Sequence, residues 1–203
     1  MPILYSMIIG LTGVYCAGKN YAAAIFEKHG LPVLDVDKLG HQVLETEKKT
    51  IFAQFGQDLQ KPDGSLDRRL LGKLVYGKPE KLAELENIVH PKVNSLTDEW
   101  TEANKTCVIN AALLFKSPVF KKLDKIIIVT APFLTRLVRA RRRDRLPWGQ
   151  ILKRFAAQTD FNTQYLSINA EIYKVENPGL CKPGLRSARA LERQIEKIIE
   201  GIS

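Results

Sequence analysis

The stretch MIIGLTGVYCAGKNYAAAIFEKHG, residues 7–30, constrains the fold more than any other part of this chain. It opens on MIIGL, a short apolar run of the kind that makes a buried strand. Gly13 to Lys19 then fits G-x-x-x-x-G-K, the spacing of a phosphate-cradling loop. The residues that follow read as a helix: Ala22, Ile25, Phe26 and His29 share one face, and Gly30 is placed to stop it. Strand, tight loop and helix in that order aim backbone N–H groups and the positive end of a helix dipole at one point, which suits a phosphate. A glycine-permitted turn would explain Gly13 and Gly18. It would not explain Lys19 in the first helical turn, where the dipole disfavours a cation unless an anion sits there. Where the motif has Ser or Thr for magnesium, this chain has Asn20. An amide oxygen can ligate a hard cation but carries no charge, which predicts weaker or displaced magnesium coordination with nucleotide binding retained.

Beyond that segment, strand-like and helix-like patterns alternate, which favours an α/β fold with a parallel sheet. Further strands are predicted at PVLDV (32–36), from Cys107 in CVINAALLF, at KIIIVTA (125–131) and, more weakly, at AEIYKVE (170–176). Between the second and third lies a mainly helical stretch, longer than a simple crossover needs and suited to an inserted acceptor-binding subdomain. Leu66, Leu70, Leu71, Leu74 and Val75 mark one amphipathic helix. Leu82, Leu85, Ile88 and Val89 mark another, which Pro91 is expected to end. Residues 132–160 form a basic segment with a helix break at Pro147–Gly149, and Leu191, Ile195, Ile198 and Ile199 set a C-terminal helix. The expected organisation is a core of residues 7–37, 105–135 and 165–203, a helical insertion at 38–104 and a lid at 136–160.

Composition narrows the partners. The net charge is +9, and the window Arg136–Arg154 carries eight Lys or Arg against Asp144 alone. So concentrated a cation patch suits a polyanion. Aromatic residues interleave it only at Trp148 and Phe155, which argues against single-stranded nucleic acid and for a nucleotide's phosphates. No apolar run approaches the ~18 residues of a membrane span. Three cysteines, Cys16, Cys107 and Cys181, are too scattered for a metal cluster or disulfide framework and fit a reduced, cytoplasmic protein. Composition sets no oligomeric state.

Two further groups carry chemistry. Asp35 and Asp37 fall at the C-terminal end of the second strand, the sheet edge where ligands of open α/β folds bind. In extended backbone both side chains lie on one side. One carboxylate can then hold metal-bound water while the other orients an attacking hydroxyl. Aspartate is also a common helix N-cap, which is the plainer reading. In the basic segment Arg136, Arg139 and Arg143 lie on one helical stripe, as lid arginines that neutralise a moving phosphoryl group would.

Taken together, these segments resemble dephospho-coenzyme A kinase, a P-loop kinase of the nucleoside-monophosphate-kinase type. The resemblance runs over residues 7–177 and is carried by IIGLTG…GK, GLPVLDVDKLGHQVLE, DGSLDRRLLGKLVY, LENIVHPKV, ALLF, RARRRD and KRFAAQ in order. It implies a five-stranded parallel P-loop NTPase core with a helical acceptor-binding insertion and a lid. It also implies transfer of the ATP γ-phosphate to the 3′-hydroxyl of dephospho-CoA, with magnesium, and Met7 as the start of the family's chain. Catalytic roles fall on Lys19, Asp37, Arg139 and Arg143. ATP binding falls on Gly13, Cys16, Ala17, Gly18, Lys19, Asn20, Tyr21 and Asn177. The acceptor falls to Asp35, Arg68 and His90, and the metal to Asn20 and Asp35. Taken alone, His90 before Pro91 reads as a helix-end residue. The sequence departs from the family pattern at Val14 and Cys16, commonly Gly, and at Asn20. It departs again at Ala112 for Pro and Lys116 for Glu. Non-glycine residues disfavour positive φ, so ordinary dihedrals are expected at Val14 and Cys16. Helix-terminus placement beside Lys19 would lower the Cys16 pKa. The alternatives are a catalytically weakened nucleotide-binding relative and a shikimate-kinase-like enzyme; NAALLF lacks the latter's Gly-Gly. A GTPase would need an N-K-x-D motif that the sequence lacks.

Overall fold

Strands buried on both faces are written as continuous apolar runs, and here those runs become one parallel sheet. The computed structural model describes residues 6–156, 170–178 and 186–201. The strands are β1 Met7–Gly13, β2 Val33–Asp35, β3 Thr106–Asn110, β4 Lys125–Thr130 and β5 Glu171–Glu176, in the order β2-β3-β1-β4-β5. β1 runs parallel to β3 and β4, with Leu11 opposite both Asn110 and Ile127, and β4 runs parallel to β5. The central place of β1 puts the loop after Gly13 at the C-terminal edge, flanked by the ends of β3 and β4. Gly13 is glycine of necessity: a Cβ there would stand 2.7 Å from the Val129 carbonyl oxygen.

The chain divides into two compact units, Met1–Leu34 with Ala103–Ser203, and Asp35–Glu102. In the first, Ile9, Leu11, Val108, Ile127 and Val129 are fully buried. They pack with α1 (Lys19–Lys28) through Ile25 and Phe26, and with α8 (Arg186–Glu200) through Leu191 and Ile195. His29 does not share the buried face of α1. It caps the helix, exposed, with Nε2 3.6 Å from Glu196 Oε1. Helices α6 (Phe133–Asp144) and α7 (Trp148–Ala156) also belong to this unit.

The second unit holds α2 (Val36–Thr46), α3 (Lys48–Phe55), α4 (Arg68–Val75) and nearly all of α5 (Pro79–Ala103). It has its own apolar core of Ile51, Phe52, Leu59, Leu66, Leu71 and Val75. Leu66 belongs to that core but precedes α4, bridging to Gln60, because Asp67 caps the helix behind it.

Two helix boundaries differ from expectation. Pro91 lies inside α5 rather than ending it. The proline removes one ladder hydrogen bond, but Val93, Thr97 and Thr101 beyond it are buried, and that packing carries the helix on. In the basic segment the break covers residues 145–147, so Pro147 lies in it as expected while Trp148 and Gly149 already belong to α7. Arg145 ends α6 in the left-handed region, φ 54°, and the Pro147 carbonyl accepts from Gln150 and Ile151 to start α7. Proline serves at a helix start, where its missing N–H is not needed. No described helix is long and apolar enough to cross a membrane.

Candidate active site

The loop from Gly13 to Gly18 is held from both sides. Val14 N donates to Val129 O at 3.2 Å, and Ala17 N closes a turn onto Val14 O at 2.9 Å. Gly18 starts α1 with φ 101°, a conformation that favours glycine, and a Cβ there would meet Asn177 Nδ2 at 2.4 Å. No side-chain hydrogen bond caps α1 and its first turn contains no acid, so no carboxylate offsets the positive end of its dipole, where an anion would sit favourably.

Cys16 departs from the sequence expectation twice. Its φ is +60°, left-handed and not ordinary, because the turn that brings Ala17 back onto Val14 needs that dihedral whatever residue supplies it. Its thiol pKa is pushed up, not down. Burial of the half-covered sulfur dominates, and Arg143, Arg139 and Arg136 pull the other way with less effect.

That set of arginines shows where the stripe on α6 points. Arg139 Nη1 donates to Ala17 O at 3.0 Å and Cys16 O at 3.4 Å, and its Nη2 donates to Asn177 Oδ1 at 3.1 Å. Asn177 is buried and donates its own Nδ2 to Ala17 O at 2.8 Å, so it positions the loop. Arg136 Nε donates to Ala131 O at 3.1 Å. Arg143 Nε pairs with Asp144 Oδ1 at 2.7 Å, which raises the guanidinium's pKa and holds the Asp144 carboxyl below the usual range. The sequence reading counted Asp144 and Arg154 only as charges of the basic window and gave Tyr15 no role; the three meet here. Tyr15 donates to Asp144, and Arg154 reaches both, 3.0 Å from Asp144 Oδ2 and 3.3 Å from the Tyr15 hydroxyl. The Tyr15 ring packs edge-on against Phe155. The only sign in the sequence was an aromatic residue inside a loop motif that favours small ones.

Asn20 lies on the exposed side of α1's first turn, and its Oδ1 accepts from Asn110 Nδ2 at 3.4 Å. Asn110 is another residue the sequence reading missed. Its signal was the polar ending of the apolar run CVIN at a parallel strand's C-terminus. Tyr21 turns its hydroxyl toward Glu192 Oε1, 3.3 Å away on α8.

In the second unit, the expectation that Asp35 and Asp37 share one side of an extended strand is corrected. β2 ends at Asp35, and Asp37 belongs to the first turn of α2. The Asp35 carboxylate caps that helix, accepting from Lys38 N at 3.0 Å. The Asp35 cap starts α2 at Val36, so the backbone is already helical when it reaches Asp37. Asp37 is exposed and lines a cavity of about 310 Å³ with His41 from α2 and Glu86, Val89 and His90 from α5. His90 is therefore mid-helix, not at a helix end, since α5 continues through Pro91. Arg68, at the first position of α4, is exposed and does not line this cavity. His41 was not singled out in the sequence, although it follows Asp37 by one helical turn.

A phosphate loop on a five-stranded parallel sheet, with Arg139 of a following helix on its carbonyls, defines a P-loop kinase core. The dephospho-CoA kinase family model matches residues 7–173. A dephospho-CoA kinase of Shouchella clausii is 36% identical over 160 residues, 75% of this chain and 81% of its own length. One of Dehalococcoides mccartyi is 33% identical over 170 residues, 79% of this chain and 86% of its own. A crystal structure from Thermus thermophilus superposes with a TM-score of 0.78 at 28% identity, covering 98% of this chain and 99% of that one. Shikimate kinase from Bacteroides thetaiotaomicron, at 14% identity and a TM-score of 0.53 over 97% of this chain and 98% of its own, shares the fold alone. The chain belongs to the dephospho-CoA kinase family.

Proposed function

We propose how this chain carries out its family's reaction, the ATP-dependent phosphorylation of dephospho-CoA to coenzyme A. The observation that carries the reading is the uncapped, acid-free N-terminus of α1 behind a loop whose carbonyls are held by Arg139 and Asn177. Loop N–H groups and Lys19 take the ATP phosphates, and Arg139 and Arg143 neutralise charge on the phosphoryl group in flight. Helices α6 and α7 act as the lid that carries these arginines. Asp37 orients the acceptor 3′-hydroxyl and accepts its proton. His90 and His41 hold the acceptor in the cavity they line with Asp37. Asp35, spent on the α2 cap, fixes the turn that presents Asp37. Magnesium suits the oxygen donors present: Asn20 would hold it, and a buried carbonyl oxygen of Asn110 stands without a partner among the described residues. When bound with ATP, the cation neutralises charge on the β- and γ-phosphates. The reading places the chain in the cytoplasm, where the free thiols of Cys16 and Cys107 persist.

The test is ADP release from ATP, magnesium and dephospho-CoA, with Asp37→Asn against wild type. Loss of kcat by roughly a hundred- to ten-thousand-fold, with ATP affinity intact, is expected for a general base. Turnover that survives the substitution would remove Asp37 from the role.

A further inference from the structure

Tyr15 is the bulkiest residue of the phosphate loop, and cradling a phosphate does not ask for it. The motif works through backbone N–H groups, its two glycines and its lysine. The ring at the loop's third position instead gathers two cations and a carboxylate. The Arg143 guanidinium carbon lies 5.1 Å from the ring centroid, and that of Arg154 lies 5.9 Å from it. Phe155 meets the ring edge-on, with centroids 5.3 Å apart. The hydroxyl donates to Asp144. Burial and that carboxylate push the Tyr15 pKa up, so the hydroxyl stays a donor across the neutral range.

Arg143 is the residue these contacts restrain. Its side chain is 60% exposed, and an arginine so placed ordinarily samples many rotamers. Here Asp144 grips one edge of the guanidinium, accepting from Nε at 2.7 Å and from Nη2 at 3.3 Å. The Tyr15 ring supports the same group through a cation–π contact. The carboxylate is itself fixed by the Tyr15 hydroxyl and by Arg154 Nη1 at 3.0 Å. Ring and carboxylate thus form a bracket with one end anchored in the phosphate loop. Two guanidiniums against one carboxylate leave the bracket positive, the sign that a phosphoryl group in transfer needs.

We propose that Tyr15 is a positioning residue for phosphoryl transfer: its ring, and Asp144 through its hydroxyl, hold Arg143 ready at the phosphate loop. Charge organised in advance costs no rearrangement at the moment of reaction. The proposal rests on the reading of Arg143 as an arginine that meets the phosphoryl group. It gives Tyr15 a part in turnover rather than in nucleotide binding, so its loss is read in kcat and not in ADP affinity.

The test is steady-state ADP release from ATP, magnesium and dephospho-CoA. It compares wild type, Tyr15→Leu, Tyr15→Phe, Arg143→Ala, and each Tyr15 change combined with Arg143→Ala. ADP affinity is titrated on every variant. Tyr15→Leu should lower kcat about ten- to a hundredfold, the scale of a misplaced catalytic group, with ADP affinity unchanged. Tyr15→Phe keeps the ring and should cost about two- to tenfold, the loss of one hydrogen bond. Arg143→Ala should lower kcat at least as far as Tyr15→Leu, and on that background neither Tyr15 change should cost anything more. A fall from Tyr15→Leu that persists in full without Arg143 overturns the proposal, as does wild-type kcat in Tyr15→Leu. So does a matching fall in ADP affinity, the sign of a damaged loop. Tyr15→Phe leaves the packing on Phe155 intact and makes the same comparison where the leucine variant does not fold. Wild-type kcat in Arg143→Ala is a separate outcome: it removes Arg143 from the reaction, and the role of Tyr15 falls with it.

Discussion

At the scale of single residues, the loop sets backbone geometry first and side-chain identity second. Cys16 adopts φ +60° although it has a Cβ. Left-handed backbone costs an L-residue roughly 1–2 kcal/mol. At an ordinary loop position glycine is less stable than alanine by about 0.4–1 kcal/mol, because the unfolded chain gains freedom. At Cys16 that order should invert. Cys16→Gly and Cys16→Ala both delete the half-buried thiol, but only glycine releases the strain. Urea melts should therefore place the glycine variant above the alanine variant by about 1 kcal/mol. The opposite order would show that the loop relaxes around a side chain at this position.

At the scale of elements, α6 and α7 are fastened to the loop by the Tyr15–Asp144–Arg154 cluster. Tyr15→Phe keeps the ring against Phe155 and loses the hydroxyl, and Asp144→Asn keeps the shape and loses the charge. A double-mutant cycle should return a coupling of about 0.5–3 kcal/mol, as for residues in one hydrogen-bond network. The Arg143 hydrogen bond, first among its influences, depresses the Asp144 pKa. The carboxylate's contribution is then fully present above the ordinary carboxylate pKa and lost only as pH falls through the depressed folded value. The coupling should hold constant from neutral pH down to the ordinary carboxylate range and decline below it. A coupling near zero at neutral pH would mean that the two residues are merely neighbours. Much of this element-scale picture was legible beforehand, and the reasons are local. The strands, α1 and the arginine stripe follow from apolar periodicity and spacing, which neighbours along the chain dictate. What escaped notice depends on residues far apart. Tyr15 and Asp144 are joined only by the fold, as are Asn20 and Asn110. The passage of α5 through Pro91 needed the burial of Val93 and Thr97 to outweigh a local breaker. The turn from β2 into α2 was local, but the Asp35 cap competed with a strand reading of the same residues.

At the scale of the molecule, the chain carries two apolar cores in two units, one around the sheet and one among α3, α4 and their connecting turn. Each unit takes a different substrate in the proposed mechanism, so damage to one core should be read out on one substrate. Leu59 is 1% exposed in the core of Asp35–Glu102, and Ile127 is fully buried in the sheet. Truncating either to alanine removes buried methyl groups and leaves a cavity, at a cost of about 2–5 kcal/mol. Leu59→Ala should raise the dephospho-CoA KM and speed hydrogen exchange in α3 and α4, with ADP affinity held. Ile127→Ala should speed exchange in β1 and β4 and weaken ADP binding, because Ile127 pairs with Leu11 on the strand that delivers the loop. If Leu59→Ala weakens ADP binding as much as Ile127→Ala does, the two cores melt as one and the division of substrates between them does not hold.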